Sequence, residues 1–220
     1  MNRRARSLTR RLKPWLKAAR RAADIGSGTG HNAEVWRNEL GILVDEYDVA
    51  DLHWVGPGPV LFDGERPPAA HAAYDTVTLL FVLQYVPDPV GLLRRVAELC
   101  DGSILLIQST YRGAWGKRWL RLREWIYGRL SLDIARRTGV LASVLGGDSC
   151  PLTPRRFFSR AQLRQTLEEA GLIIHHFFPS EWPGLSISRD LYVLRSTVLP
   201  PLASSPTFPS SSPPATKSVG

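Results

Sequence analysis

The sequence predicts an α/β fold, a mostly parallel sheet of seven strands with helices on both faces. Three observations carry that expectation. Short apolar runs alternate with amphipathic segments along the chain, the pattern of strand–helix–strand units. Residues 76–83 and 103–107 are apolar almost throughout, as strands buried on both faces are. A glycine-rich turn at 26–30 leads from the first strand into a helix. At 220 residues, one such domain is the natural size.

Taken in order, residues 1–21 form a basic amphipathic segment. Leu8, Leu12, Trp15, Leu16 and Ala19 fall at helical spacing, opposite Arg3, Arg6, Arg10, Lys13 and Lys17. Pro14 interrupts the series, and because proline suits a first turn better than an interior, the stable helix is expected to begin there. The domain proper is expected over 22–198. It opens with a strand at 22–25, the loop 26–30, and a helix at 32–40 closed by Gly41. Strands follow at 42–48, 60–62 and 76–83. The helix after Pro89 sets Leu92, Leu93, Val96 and Leu99 on one stripe and leads to the strand at 103–107. Ser159 and Gln162 match a capping box, opening a helix through Leu163, Leu167 and Ala170 that stops at Gly171. Strands at 172–178 and 191–194 close the sheet as a hairpin.

Two regions break this rhythm. Residues 111–155 are far longer than an ordinary connection, and within them Trp115, Trp119, Leu122, Ile126 and Leu130 make a helical stripe edged with arginines. This insertion is the best candidate for a substrate lid. Residues 199–220 turn into Pro and Ser, with too little apolar surface to offset ordering entropy, and are expected to be a disordered tail with no catalytic role.

Charge is segregated. The formal net charge of +8 invites a nucleic-acid assignment, but residues 1–23 hold nine bases and no acid, and a second basic stretch spans 112–137. The rest of the body is acidic. That arrangement favours a local anionic surface or ligand over nucleic acid. Each stripe can pack on the domain or rest on an anionic membrane, presenting a hydrophobic acceptor; most amphipathic helices face a core. Cys100 and Cys150 are too few for a disulfide framework, which points to the cytoplasm. There is neither an apolar run of membrane-spanning length nor a secretory h-region.

The chemistry starts at Asp24-Ile25-Gly26-Ser27-Gly28-Thr29-Gly30. Glycines permit positive φ and close approach of a ligand to the backbone, and the following helix N-terminus suits an anionic group. A dinucleotide fingerprint would need glycine where His31 stands, and a P-loop would need Gly-Lys-Ser/Thr, which is missing. Downstream, Asp48 ends the second strand 18 residues after Gly30, with Asp45 as its rival. Asp63-Gly64 follow the third strand, Tyr74-Asp75 open the fourth, and Gln84-Tyr85 follow it.

In this order these features resemble a class I methyltransferase dependent on S-adenosylmethionine, of the type-11 (ubiquinone/menaquinone-type) domain, over roughly 22–110 and 156–195. The resemblance implies a Rossmann-like fold with a helical insertion before the penultimate helix. It also implies S-adenosyl-L-methionine as cofactor, with Asp24, Gly26, Ser27, Gly28 and Gly30 around the methionine portion and Asp48 on the ribose. Asp63 and Gly64 would meet the adenine edge, and Leu79 and Leu80 would line the cleft mainly through backbone and shape.

The acceptor half is less legible. Methyl transfer from a sulfonium rests largely on proximity, with a base needed only for some acceptors. Where many relatives carry a His-His pair, Gln84 cannot act as a base and Tyr85 titrates far above neutrality. Tyr85 and Tyr111 are the substrate-side candidates, and no catalytic residue is assigned. His175 and His176 are expected to alternate across a strand, His53 to lie on the surface, and no metal site is expected. The Asn/Asp-Pro-Pro-aromatic motif of nucleic-acid amino methylation and a Pro-Cys nucleophile are both missing, so a small-molecule or lipid-like acceptor leads. The competing expectation is a weakly active cofactor-binding homologue serving as a membrane or partner adaptor.

Overall fold

The computed structural model describes residues 2–123, 125, 156–182 and 184–197. In chain order the elements are α1 (Asn2–Leu16), β1 (Arg21–Ile25), α2 (His31–Leu40), β2 (Leu43–Asp48), β3 (Val60–Leu61), β4 (Tyr74–Leu80), α3 (Pro89–Leu99) and β5 (Cys100–Tyr111). A helix over 113–123, here α4, follows β5. Then come β6 (Phe158–Ser159), α5 (Arg160–Glu169), β7 (Leu172–Phe178), β8 (Glu181–Trp182) and β9 (Ile187–Ser196). The main sheet runs β3-β2-β1-β4-β5-β9-β7, with β6 on β5 and β8 on β9. Its seven principal strands are the expected ones, parallel except β9, which runs against β5 and β7.

Helices cover both faces. Leu12, Leu16, Ala33, Val35 and Trp36 of α1 and α2 pack with Leu80, Leu105, Ile107 and Leu191. On the other face Leu92, Leu93, Val96 and Leu99 of α3 and Leu163 and Leu167 of α5 meet Val77, Leu79, Ile104 and Leu106. Alternate residues of one strand thus enter opposite cores, as a period of two requires. β1 lies between β2 and β4, and the chain leaves β1 through α2 on one face and β4 through α3 on the other. That reversal is the topological switch point, where strand ends leave a crevice.

Four expectations are corrected. The first helix does not begin at Pro14; it runs from Asn2 with Pro14 in its last turn. An interior proline costs about 3 kcal/mol, and full burial of Leu12 and Leu16, at about 1.5–3 kcal/mol each, offsets it. β4 ends at Leu80 rather than at 83, because Phe81 takes a left-handed backbone (φ 65°) and donates its N–H to the Ile107 carbonyl at 2.7 Å. His175 and His176 do not point apart. A register shift between Ile174 and His176 forms a bulge, and both rings lie outward with centroids 4.4 Å apart. His53 is not on the surface, as described below. Residues 126–155 of the insertion, with Ile126, Leu130 and Cys150, and the tail at 199–220 lie outside the described residues.

An ion pair to a buried carboxylate fastens the far side of the sheet. Asp190, fully buried on β9, accepts two bonds from the Arg160 guanidinium at 2.8 and 3.0 Å and one from Thr110 Oγ1 at 2.7 Å. Arg160 opens α5 behind Ser159, whose capping box with Gln162 is complete. The helix start is therefore tied to the strand by bidentate charge-assisted bonds, which hold the arginine firmly protonated.

Candidate functional site

The glycine loop leaves the carboxyl end of β1 at the switch point. The Gly26 and Ser27 N–H groups donate to the Tyr47 carbonyl at 2.7 and 3.2 Å, which folds the loop back over β2. Its three glycines have φ of 73°, 57° and 77°, a region other residues enter at a cost. They serve different ends. A Cβ at Gly26 would strike Val82, and one at Gly30 would strike the Val55 carbonyl. A Cβ at Gly28 would meet nothing within 4 Å. Two glycines are thus required by protein packing, and the third borders open space.

The predicted acids gather at the heads of β1, β2 and β3. Asp48 is buried and accepts from Gly28 N–H at Oδ2 and from Val49 N–H at Oδ1, both at 2.7 Å, within the capacity of about four bonds that a carboxylate has. Burial raises its pKa, opposed by these backbone bonds and one from Ala50. Phe62 N–H donates to the Asp48 carbonyl at 3.0 Å, which brings Asp63 and Gly64 beside it; Gly64 (φ 87°) sits against Val49. Asp63 is exposed, and its Oδ1 caps the turn by accepting from Glu65 and Arg66 N–H at 2.8 Å each. The bond from Arg66 N–H, then that from Glu65, holds its carboxyl below the usual range. Asp45, the rival, pairs with Arg21 at 2.7 Å and Tyr74 Oη at 2.9 Å, near the opposite ends of the strands. Asp75 likewise binds the Arg20 and Arg21 N–H groups there.

Asp24 is almost wholly buried. Its Oδ1 accepts from Thr78 Oγ1 at 2.7 Å, while Oδ2 is buried without a hydrogen-bond partner. Desolvation pushes its pKa up to about 7, resisted by the Thr78 bond and assisted by the nearby Glu46 and Asp48. An orphaned carboxylate oxygen costs stability unless something satisfies it. Asp24 Oδ2 and the open space at Gly28 together fit an amino-acid nucleoside better than a pyrophosphate, which would meet carboxylates on this side.

Three residues of this site escaped the sequence. Glu46, buried on β2, is paired with Arg37 of α2 at 2.5 Å and lies 3.3 Å from His53 Nε2. The His53 ring, only 5% exposed, also lies 3.0 Å from Ser27 Oγ. Trp54 N–H donates to the Thr29 carbonyl at 3.2 Å. The β2–β3 connection therefore backs the glycine loop from behind. The only signal was an acid inside a strand destined for burial, and its meaning depended on where α2 would place Arg37.

Leu79 and Leu80 are buried in opposite cores, so only their backbone can reach the crevice. Gln84, also buried, accepts at Oε1 from Gln108 Nε2 at 3.1 Å, a structural bond that leaves it no acid–base role. Tyr85 is half-buried at the turn after β4, where its N–H donates to the Val82 carbonyl at 2.9 Å. Tyr111 ends β5 and donates its hydroxyl to Gln162 Oε1 at 3.2 Å, apart from the acids. Among the described residues no cluster of three His, Cys, Asp or Glu could hold a metal ion.

Comparison with known proteins agrees with this fold. A family model described as a methyltransferase domain matches residues 1–176, from α1 into β7. A search of curated proteins gives no match. The fold is similar to that of geranyl diphosphate C-methyltransferase from Streptomyces coelicolor A3(2), solved with Mg2+, geranyl diphosphate and S-adenosyl-L-homocysteine (TM-score 0.60, 12% identity, covering 86% of this chain and 78% of that one). It is also similar to the [4+2]-cyclase SpnF (0.59, 15%, 89% and 80%). A third likeness is to a SAM-dependent methyltransferase from Methanosarcina mazei (0.56, 16%, 84% and 96%). At such identities these likenesses concern the fold alone, and the cyclase shows that one fold carries more than one chemistry.

Proposed function

From the premise that this chain belongs to the methyltransferase-domain family, we propose that it moves a methyl group from S-adenosyl-L-methionine to a small-molecule or lipid-like acceptor. One observation carries the proposal: a glycine cradle open at Gly28, flanked by the acceptor-capable Asp48 and the unsatisfied Asp24 Oδ2.

S-adenosylmethionine supplies a methyl already activated on a sulfonium. What remains for the protein is mainly to hold and orient the reactants. The backbone of 26–30 and Asp24 hold the methionine portion, the buried carboxylate attracting an ammonium. Asp48, already fixed by the Gly28 and Val49 N–H groups, accepts from ribose hydroxyls without paying further ordering entropy. Asp63 and Gly64 border the adenine, and the β4 backbone at Leu79 and Leu80 shapes the floor. Tyr85 and Tyr111 are retained on the acceptor side as positioning groups. The capped α5 helix after the insertion supports placement beside the type-11 class.

Calorimetric titration with S-adenosyl-L-homocysteine tests the cofactor half: binding is expected for the wild type and should be lost in Asp48→Ala. Transfer of labelled methyl from the donor into a lipid extract tests the acceptor half. Binding without transfer into any extract would replace this proposal with a cofactor-binding adaptor, and no binding at all would remove both.

A further inference from the structure

The two basic amphipathic segments meet opposite fates in the fold. α1 turns its apolar stripe inward: Leu12 and Leu16 are buried, as is Ala19 just beyond its end, and the Trp15 ring packs 5.2 Å from that of Phe178. α4 presents its stripe outward. Its inner side is held by Leu120, fully buried, by Gly116 against the Ser186 carbonyl, and by Arg123, which donates to Ser109 Oγ at 2.9 Å. The outer side carries Trp115, 59% exposed, and Leu122, 44% exposed. Trp119 lies half-buried beside Trp115, ring centroids 6.2 Å apart. At about 100° per residue, Trp115, Trp119 and Leu122 share one arc, and the exposed Arg118 and Arg121 follow along one edge of it. From Arg112 to Arg123 there are five bases and no acid.

Single exposed apolar residues need no explanation, but a tryptophan pair and a leucine grouped on one short basic helix do. We propose that this outer face of α4 docks on an anionic lipid bilayer. Trp115, Trp119 and Leu122 enter the headgroup boundary, and Arg118 and Arg121 lie at the phosphates. Tryptophan, apolar in body with one polar N–H, is the residue suited to that boundary. Charge selects the occupant, because a segment with bases and no acids complements a phosphate surface. Area argues against a second copy: the exposed arc amounts to on the order of 300 Å², well short of the about 800 Å² per partner that a stable protein interface takes. α4 starts two residues after β5 ends, so docking turns the carboxyl ends of the strands toward the bilayer. The surface stands apart from the methyl-donor site and does not depend on it.

Flotation of the full chain with vesicles tests the proposal. Vesicles of phosphatidylcholine containing about one quarter phosphatidylglycerol should carry the protein at about 0.1 M salt; neutral phosphatidylcholine vesicles should not, and about 1 M salt should release it. Arg118→Ala/Arg121→Ala should weaken partition about thirty-fold, at about five-fold per arginine, and Trp115→Ala/Leu122→Ala at least about ten-fold. Arg3→Ala/Arg10→Ala removes the same charge from exposed sites on α1 and should stay within about three-fold of wild type. Melting curves and homocysteine-nucleoside titration on the same samples confirm that each variant is folded, and in the wild type lipids brominated near the headgroup should quench tryptophan emission. The proposal is overturned if the wild type stays unbound or if the two arginine pairs lose equally. It is equally overturned if Trp115→Ala/Leu122→Ala floats like wild type, or if sedimentation shows a wild-type dimer that this variant breaks.

Discussion

Gly28→Ala separates a glycine kept for the backbone from one kept for a ligand. Gly28 has φ 57°, and Gly41, the C-cap of α2, has φ 69°; an added Cβ meets nothing within 4 Å at either. With no collision, each substitution bears only the left-handed penalty of about 1–2 kcal/mol. For a domain of this size that lowers Tm by roughly 2–8 °C, and by a similar amount in both. Only at Gly28 does the methyl enter the space assigned to the cofactor. Overpacking a filled site costs about 1–3 kcal/mol, so the Kd for S-adenosyl-L-homocysteine should rise about 5- to 150-fold in Gly28→Ala, with Gly41→Ala within error of wild type. Differential scanning calorimetry gives the first quantity and isothermal titration the second. If Gly28→Ala melts like Gly41→Ala yet binds the ligand as wild type does, the nucleoside does not lie against this loop and the site assignment fails.

Three further outcomes follow from the site and its supports. Asp24, with its pKa pushed up to about 7 by burial, binds its proton more tightly folded than unfolded; its contribution to stability is complete below about pH 4 and is lost as pH rises through about 7. Asp24→Asn should therefore raise Tm at pH 8 but not at pH 4, and should abolish an increase in homocysteine-nucleoside affinity between pH 6 and 7.5 that the wild type shows if the ligand's ammonium meets the carboxylate; a flat wild-type profile counts against that contact. His53→Ala removes the ring between Ser27 and Glu46 and should weaken the same ligand several-fold while β1, β2 and their hydrogen-exchange protection persist; unchanged affinity would make the β2–β3 connection mere packing. Asp190→Ala removes the bidentate partner of Arg160 and leaves it Glu181 alone; it should cost about 1–3 kcal/mol, a fall in Tm of roughly 2–12 °C by calorimetry, with Arg160→Lys unable to supply the bidentate geometry.

The sequence by itself determined the order and type of the principal elements and the positions of the acids proposed to hold the cofactor. Those signals are local: apolar period, glycine spacing, the Ser159–Gln162 cap, and an acid at each strand end all act within a few residues. It also named both rivals at the second strand without choosing, since Asp45 and Asp48 differ only in which end of β2 they occupy. Pairing with β1 and β3 separated them, placing Asp48 on the Gly28 N–H and Asp45 on Arg21.

Tertiary structure alone decided the rest, because each case needed a partner distant in the chain. Pro14 stayed helical because the sheet buried Leu12 and Leu16 on either side of it. His53 went inside because the glycine loop and Glu46 enclosed it. Of two basic helices with the same pattern, α1 met a sheet face wide enough to cover its stripe, whereas α4, anchored by Leu120 and Gly116 on one side, had its tryptophans left on the other. Periodicity states that a helix has an apolar face; only the packing of the whole chain states what that face touches.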